Sequence, residues 1–353
     1  MKMLRVLLLP VSLLYGVIIY VRNLLFDKNI LKSSAFNIPV ISVGNLSMGG
    51  TGKTPQMEYL IRLLQGKYKI ATLSRGYGRK SKGFLLASES STAKEIGDEP
   101  KQLKQKFTNI EVAVDENRTS GIQTLLKQFP STKAILLDDA FQHRKVKAGL
   151  SILLTDYTQP YFDDWVVPSG TLREFKGGAK RADIIIVSKC PENISSAEKE
   201  KIRLALKPTK HQIVLFSYIG YGNCTRLFEQ SENICSPEDL INLNCEVLLL
   251  TGIANPSPLK NFIATLTSEI HLLTYSDHHA YTAKDIETIK MRFKEISNEN
   301  KVLITTEKDA TRLSPFKKEL AALPIYTIGI ETQFNKEDKQ QLNALILNYV
   351  KKN

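Results

Sequence analysis

Cysteine is scarce in this chain, and its spacing carries no metal or redox pattern. The 353 residues include four cysteines, Cys190, Cys224, Cys235 and Cys245. No two of them have the C-x-x-C spacing of a zinc or dithiol site, so the sequence does not indicate those classes. Free thiols in a reducing compartment are the simplest interpretation.

Nucleic-acid-binding motifs are also lacking, although the formal net charge is +12. The lysines are dispersed along the chain and accompany no recognised motif, which argues against nucleic acid as a partner. The positive surplus still implies an anionic partner, which leaves a membrane surface or a phosphorylated substrate. The apolar fraction of 42% and the charged fraction of 24% are typical of a globular protein.

The N-terminus lacks an uncharged run long enough to cross a bilayer comfortably. The stretch from Val6 to Val21 would span roughly 24 Å as a helix, short of the ~30 Å hydrocarbon core. No small-residue cleavage site follows, so a signal peptide is not indicated. Basic residues flank the stretch, which favours a helix in the membrane face on the cytoplasmic side. A buried core helix and a single span with snorkelling flanks are the alternatives.

A glycine-rich loop between an apolar run and a helical pattern is the first indication of chemistry. The segment SVGNLSMGGTGKTP follows NIPVIS and precedes PQMEYLIRLLQG, whose apolar residues have helical spacing. Such a loop presents backbone N–H groups and a helix N-terminus to an anion. Lys53 would reach the β- and γ-phosphates of a nucleotide, and Thr54 would place its hydroxyl on Mg²⁺. The alternative is a flexible glycine turn. The predicted phosphate-binding residues are Ser47, Met48, Gly49, Gly50, Thr51, Gly52, Lys53 and Thr54.

Short apolar runs alternate with helical patterns along most of the chain. This alternation predicts an α/β fold of the P-loop NTPase type, with a mostly parallel sheet and helices on both faces. A change of texture near residue 210 predicts a second, smaller α/β unit. A ligand between two such units would lie at the strand ends. The predicted divisions are a hydrophobic helix at 1–32, a kinase core at 33–214, the second unit at 215–330, and a helix at 331–353 that packs back on the core.

Carboxylates and arginines follow several of the predicted strands. KAILLDDAFQH ends in Asp138 and Asp139, as a Walker-B strand presents Mg²⁺ ligands beside a phosphate loop. Asp98 and Glu99 lie in the loop IGDEP, which by itself reads as solvated or capping. Arginines in LSRGYGRK and SGTLREF could clamp phosphate, and surface charge is the alternative.

Histidine is concentrated in one place, with three of the five between positions 271 and 279. YSDHHAYT places Asp277, His278 and His279 after a predicted strand, without zinc-ligand spacing. A histidine paired with a carboxylate could tune a general base near neutral pH, and an ordinary loop histidine is the alternative.

The combination of motifs is more specific than any one of them. VGNLSMGGTGKTP, LSRGYGR, GDEP, LDDAFQHR, PSGTLRE, GIANP, DHHAY and TTEKDA occur in that order after a hydrophobic helix. Together they resemble tetraacyldisaccharide 4′-kinase, the lipid A 4′-kinase of Gram-negative bacteria, over about residues 1 to 330. The resemblance implies transfer of the ATP γ-phosphate to the 4′-hydroxyl of an acylated disaccharide 1-phosphate lipid, at the cytoplasmic face of the inner membrane.

The resemblance also implies roles for individual residues. Asp98 would act as the base on the sugar hydroxyl, and His278 would pair with it and tune its pKa. Lys53 would lie on the phosphates, and Arg173 would face the transferring group or the lipid phosphate. The implied ligands of Mg²⁺ are Thr54, Glu99, Asp138 and Asp139.

Two other classes share parts of the pattern. A membrane-bound nucleotide switch has a similar loop, often with a second lysine where this chain has Met48, and needs no Asp–His pair on an acceptor. A small-molecule or nucleoside kinase would leave the apolar N-terminus unexplained. Both are ranked below the lipid kinase.

Overall fold

The fold is that of a computed structural model, which describes residues 2–228, 234–235, 245–267, 269–277 and 279–352. It divides into two compact units. Unit 1 comprises Met1–Gly220 and Glu331–Asn353, and unit 2 comprises Tyr221–Ile330.

The strands follow the apolar runs of the sequence. In chain order they are β1 (Val40–Asn45), β2 (Ile70–Ser74), β3 (Leu85–Leu86), β4 (Glu111–Val114), β5 (Ala134–Asp138), β6 (Leu150–Asp156), β7 (Ile184–Ser188), β8 (Ile213–Arg226), β9 (Ile234–Cys235), β10 (Glu246–Thr251), β11 (Ile270–Thr274), β12 (Lys301–Thr306) and β13 (Ile325–Phe334).

The α-helices lie between these strands and at both ends of the chain. They are α1 (Lys2–Leu7), α2 (Leu9–Asp27), α3 (Lys53–Gln65), α4 (Ala93–Ile96), α5 (Asp98–Lys106), α6 (Arg118–Gln128), α7 (Ser196–Leu206), α8 (Ser257–Ile263), α9 (Ala283–Glu295), α10 (Glu307–Leu313), α11 (Lys317–Leu320) and α12 (Lys336–Lys352). Short 3₁₀ helices occupy Tyr161–Asp163, Lys176–Arg181 and Ser314–Phe316.

Unit 1 is built on a mostly parallel sheet with the strand order β8-β7-β6-β1-β5-β2-β4-β3. β1 pairs in parallel with both β5 and β6, and β3 alone among these strands is antiparallel to its neighbour. Alternate residues of the central strands enter different cores: Ile41 and Val43 pack with α3 and α12, whereas Val40 packs on the opposite face. A strand buried on both faces is a continuous apolar run, and that is how these strands read in the sequence. The predicted doubly covered parallel sheet is confirmed.

Unit 2 contains a smaller parallel sheet of order β11-β10-β12-β13, and β9 pairs with β8 in antiparallel fashion. Helices α8 to α11 connect or follow its strands. Its core is formed by residues such as Leu248, Leu250 and Leu303 on the strands and Ile289 and Phe293 on α9. The predicted second α/β unit is therefore also observed.

Candidate active site

The glycine-rich loop connects β1 to α3, as the sequence predicts. Gly52 caps α3 with φ of +80°, and Gly49 has φ of +126°. Both values lie in the region that residues with a Cβ rarely adopt, so glycine is required at these two turns. The loop therefore ends at a helix N-terminus, where unpaired N–H groups and the helix dipole favour a bound anion.

The loop is held in place by groups that the sequence analysis did not identify. Asn45 donates its side-chain amide to the Thr51 hydroxyl at 2.8 Å, and Ser188 donates to the Thr51 carbonyl at 2.8 Å. The Met48 N–H donates to the carbonyl of Thr171 at 2.7 Å. These bonds fix the loop in advance, so less order has to be gained when a phosphate binds. Ser188 ends an apolar strand, which is the one sequence signal that could have indicated it.

Asp139 lies between two cations of the candidate site. Its Oδ1 is 3.7 Å from the Lys53 ammonium on α3, and it accepts a hydrogen bond of 2.8 Å from Arg173. Burial would raise the pKa of this carboxyl, but Lys53 and then Arg173 outweigh it and hold the pKa below its usual value. The structure thus brings together three residues from GKTP, LDDAF and GTLRE.

Asp138, the last residue of β5, is buried with 8% of its surface exposed. Within the described chain its Oδ1 has no hydrogen-bond partner. Burial raises its pKa to about 6, with Asp139 and Glu99 adding to the rise and Lys53 opposing it. A buried, unpartnered carboxylate oxygen beside two further carboxylates suits a cation. The effect of Glu99 on the pKa of Asp138 places these two carboxylates near each other. Asp98 lies at the start of α5 and is half-buried.

The residues fit magnesium better than a metal held by protein alone. No group of three or more histidine, cysteine or carboxylate side chains that could hold a metal occurs in the described ranges. Mg²⁺ usually takes one or two carboxylates, with phosphate oxygens and water completing the shell. Asp138, Asp139 and the Thr54 hydroxyl in the first turn of α3 are donors of that kind.

A buried arginine and a histidine lie near the carboxylates and were missed by the sequence analysis. Arg118, in the first turn of α6, is 2% exposed and donates to the Asp115 carbonyl at 2.7 Å. Its Nε and Nη2 have no partner among the residues described. Burial lowers the pKa of Arg118 to about 10, although Asp138 and Asp139 attract its charge.

His143 is also affected by its surroundings. Burial, and to a smaller extent repulsion from Arg118 and Arg75, lowers the pKa of His143 to about 4. His143 lies in the quoted motif LDDAFQHR, which was the available signal.

Glu174, next to Arg173, has a structural role. It is 1% exposed and accepts hydrogen bonds from Arg181 at 2.8 Å, Asn23 at 2.8 Å and Gln142 at 3.0 Å. These partners connect the loop that carries Arg173 to α2. Arg79, the second arginine of LSRGYGRK, pairs with Glu116 and donates a hydrogen bond to the Gly83 carbonyl. Its contacts therefore stabilise its own loop.

Helix α2 is docked on unit 1 along one face. Ser12 donates to the Ser169 hydroxyl at 2.8 Å, and Tyr15 donates to the Arg173 carbonyl at 3.2 Å. Its other face exposes large apolar side chains, including Val11, Leu14, Val17, Ile18 and Val21. By length and composition Leu9–Asp27 is able to span a membrane, a criterion that some soluble core helices also meet. The small buried fraction of this helix distinguishes it from the predicted alternative of a core helix.

In unit 2, three of the quoted motifs meet at one buried carboxylate. Asp309 of TTEKDA accepts from the Gly252 N–H of GIANP at 2.9 Å and from the Tyr281 hydroxyl of DHHAY at 3.3 Å. His279 is held by Asp285 at 3.1 Å and stacks on Tyr275. These motifs therefore shape the loops of unit 2. His278 lies outside the described residues, so its predicted pairing with Asp98 stays a prediction.

Comparison with known proteins is consistent with these observations. The family described as Tetraacyldisaccharide-1-P 4′-kinase matches residues 4–351. The tetraacyldisaccharide 4′-kinase of Flavobacterium johnsoniae is 49% identical over 355 residues, covering 100% of this chain and 99% of its own. That of Bacteroides thetaiotaomicron is 46% identical over 354 residues, covering 98% and 93%.

A solved structure shares the fold over nearly the whole chain. The crystal structure of LpxK from Aquifex aeolicus in complex with ATP is 29% identical, with a TM-score of 0.76 and coverage of 98% of this chain and 99% of that one. The resemblance drawn from the motifs is confirmed, and the nucleotide-switch and nucleoside-kinase alternatives are set aside. The chain belongs to the tetraacyldisaccharide-1-phosphate 4′-kinase family, and it is an ATP-dependent kinase that phosphorylates the 4′-hydroxyl of a tetraacyldisaccharide 1-phosphate in lipid A synthesis.

Proposed function

We propose that the transfer takes place at the cluster of Lys53, Asp139 and Arg173. The observation that carries this proposal is the position of Asp139, which contacts both cations at the end of the glycine-rich loop. The carboxylate of Asp139 neutralises two cations, and negatively charged phosphate oxygens can replace it as their partner. Lys53 then holds the β- and γ-phosphates, and Arg173 stabilises the negative charge of the group in transfer.

The loop from Ser47 to Thr54 binds the ATP phosphates through its backbone. The support is the preset loop conformation and the helix N-terminus that follows it. Phosphoryl transfer requires no covalent bond to the protein. Positioning of the substrates and neutralisation of their charge therefore account for most of the acceleration of the reaction.

In this proposal Mg²⁺ is held by the Thr54 hydroxyl and by one or two of the carboxylates of Asp138, Asp139 and Glu99. When bound, the ion neutralises phosphate charge. The unpartnered Oδ1 of Asp138 supports the assignment. Arg118 limits the repulsion between Asp138 and Asp139, because its positive charge is attracted by both carboxylates.

In this proposal Asp98 accepts the proton of the 4′-hydroxyl. The oxygen of that hydroxyl bonds to the γ-phosphorus, while the bond between the γ-phosphorus and the bridging oxygen of the β-phosphate breaks and ADP is released. Only a weak base is needed, because the acceptor becomes acidic late in such a transfer. The role of His278 as the partner of Asp98 also belongs to the proposal and rests on the resemblance alone.

Membrane attachment through the exposed face of α2 completes the proposal. Its apolar side chains would enter the membrane interface from the cytoplasmic side of the inner membrane, where ATP is supplied. In functional terms the chain then consists of a membrane helix at 1–32, a kinase core at 33–214, a second unit at 215–330 and a closing helix at 331–353.

The residue roles are tested by transfer of labelled γ-phosphate from ATP to tetraacyldisaccharide 1-phosphate in micelles. Lys53→Ala is expected to weaken ATP binding. Asp98→Asn is expected to retain binding of both substrates and to lose turnover by ~10²–10⁴-fold. Glu192→Gln removes a charge from an exposed loop and serves as the control. Turnover of Asp98→Asn near that of the control would refute the role of Asp98.

A further inference from the structure

Two helices of unit 1 begin at residues that the proposed transfer uses. Helix α3 starts with Lys53 and Thr54, and α5 starts with Asp98 and Glu99. The donor phosphates on α3 and the carboxylate of α5 must keep a fixed distance, because a displacement of about 1 Å can lower the rate ~10²-fold. A contact that holds these two helices together therefore bears on catalysis.

A buried carboxylate on α3 makes such a contact. Glu58 lies in the second turn of α3 and is 1% exposed. Its Oε1 accepts a hydrogen bond of 3.0 Å from the Gln102 side-chain amide, and its Oε2 is 2.7 Å from the Lys106 ammonium. Gln102 and Lys106 are four residues apart on α5, so they lie on the same face of that helix. One carboxylate thus binds two successive turns of α5.

The path from this carboxylate to the site is short on both helices. Glu58 follows Lys53 by five residues, and Gln102 follows Asp98 by four. Within an α-helix these intervals correspond to rises of about 8 Å and about 6 Å. A shift of α5 at Gln102 is therefore transmitted to Asp98.

Arg62 extends the contact by one turn of α3. It donates to Oε2 of Glu58 at 3.1 Å, and its guanidinium carbon lies 5.6 Å from the centroid of the Phe107 ring, directly after α5. Lys106 and Arg62 thus compensate the charge of the buried carboxylate. Their side chains are 23% and 34% exposed, so both cations can turn to water when Glu58 is replaced.

Helix α5 depends on this contact more than α3 does. Four apolar side chains of α3 have 0% exposure and pack in the core, namely Met57, Leu60, Ile61 and Leu64. Two of the four buried residues of α5 are polar, Lys101 and Gln102. Loss of Glu58 should therefore leave α3 and its phosphate loop in place and loosen α5.

We propose that Glu58 is a positioning residue of the kinase reaction. It holds α5 against α3, so that Asp98 keeps its place relative to the phosphates bound at Lys53. This inference rests on the role proposed above for Asp98.

The test removes the acceptor oxygens of Glu58 and keeps an unbranched side chain. Glu58→Met suits a helix and a buried position. Glu331→Met is the matched control, since Glu331 on β13 bonds the same Arg62 at 3.2 Å and is 41% exposed. Both proteins are compared with the parent by transfer of labelled γ-phosphate to tetraacyldisaccharide 1-phosphate in micelles, and thermal unfolding checks that they are folded.

Glu58→Met is expected to lower kcat by on the order of 10- to 10²-fold, because Asp98 is no longer held in register with the phosphates. Its KM for ATP should stay within about two-fold of the parent value, since α3 is anchored independently of Glu58. Glu331→Met should match the parent in both constants.

The same substitution in the Asp98→Asn protein separates positioning from a general structural role. If Glu58 acts through Asp98, adding Glu58→Met to Asp98→Asn should lower kcat no further, because the two residues act as a unit. An equal loss in both backgrounds, an unchanged kcat, or a change confined to the KM for ATP would overturn the inference. Should Glu58→Met fail to fold, Lys106→Met removes the partner on α5 and is judged by the same results.

Failure of the proposed function gives a different result. Turnover of Asp98→Asn near that of the parent would refute the role of Asp98, and the positioning role with it. Loss of turnover in Asp98→Asn, together with full turnover in Glu58→Met, would remove the positioning role alone.

Discussion

Replacing Asp138 by asparagine should make the protein more stable at neutral pH while abolishing its activity. Burial raises the pKa of Asp138 from 3.8 to about 6 in the folded protein. The folded state therefore prefers the protonated carboxyl, whereas the unfolded chain ionises at the lower pH. The buried carboxyl therefore stabilises the folded state fully below about pH 4, and this contribution to the free energy of unfolding is lost as the pH rises through about 6.

The size of the effect follows from the two pKa values. Their difference of about two pH units corresponds to ~3 kcal/mol of unfolding free energy lost by the parent above about pH 6. The amide of asparagine needs partners of its own, and leaving it unpaired costs ~1 kcal/mol. Asp138→Asn should thus be more stable than the parent by about 2 kcal/mol at about pH 8, and this gain should be smaller by about 1–2 kcal/mol at about pH 5.

The assay is urea unfolding followed by the fluorescence of Trp165, which lies in unit 1 with Asp138. Chelator is added so that no divalent ion binds the carboxylates. Glu192→Gln should show no comparable pH-dependent difference from the parent. A stability difference between Asp138→Asn and the parent that stays constant from pH 5 to pH 8 would refute the reasoning about burial. Loss of phosphate transfer in the same variant tests its place at the magnesium site.

Other predictions follow from individual contacts. Arg173→Ala should lower kcat by ~10²–10³-fold with little change in stability, and Arg173→Lys should recover only part of the lost rate. Single-turnover kinetics measure this loss, and an unchanged kcat would contradict the role of Arg173. Ser188→Ala removes the bond to the Thr51 carbonyl and should weaken ATP affinity about 3- to 10-fold by calorimetry; unaltered affinity means that the loop holds its shape without it. Leu14→Glu with Ile18→Glu should release the protein from anionic vesicles in flotation and leave ATP affinity intact; persistent flotation would remove α2 as the attachment.

The local elements and the phosphate loop could be predicted from the sequence because both depend on neighbouring residues. A strand buried on both faces needs an uninterrupted apolar run, and a helix N-terminus after a glycine turn needs GGTGKTP in one stretch. Asp138 and Asp139 could be predicted for the same reason, since they follow their strand directly.

Residues whose role depends on distant partners were missed. Arg118 lies in an unremarkable segment, and its importance comes only from burial beside Asp138 and Asp139. The structural role of Glu174 was hidden in the same way, since its partners Asn23, Gln142 and Arg181 come from three parts of the chain. Spacing along the sequence carries no information about such contacts.

By itself, therefore, the sequence determined the elements, the phosphate loop and, through its combined motifs, the family. Only the tertiary structure decided that Asp139 contacts both Lys53 and Arg173, and that Asp138 is buried with an oxygen that has no partner among the described residues. It also decided that an apolar cavity lies between α2 and the segment 164–177. The physical reason is that charge pairing, burial and cavity shape depend on which strand ends and loops meet in space, and parallel strands bring together residues far apart in the chain.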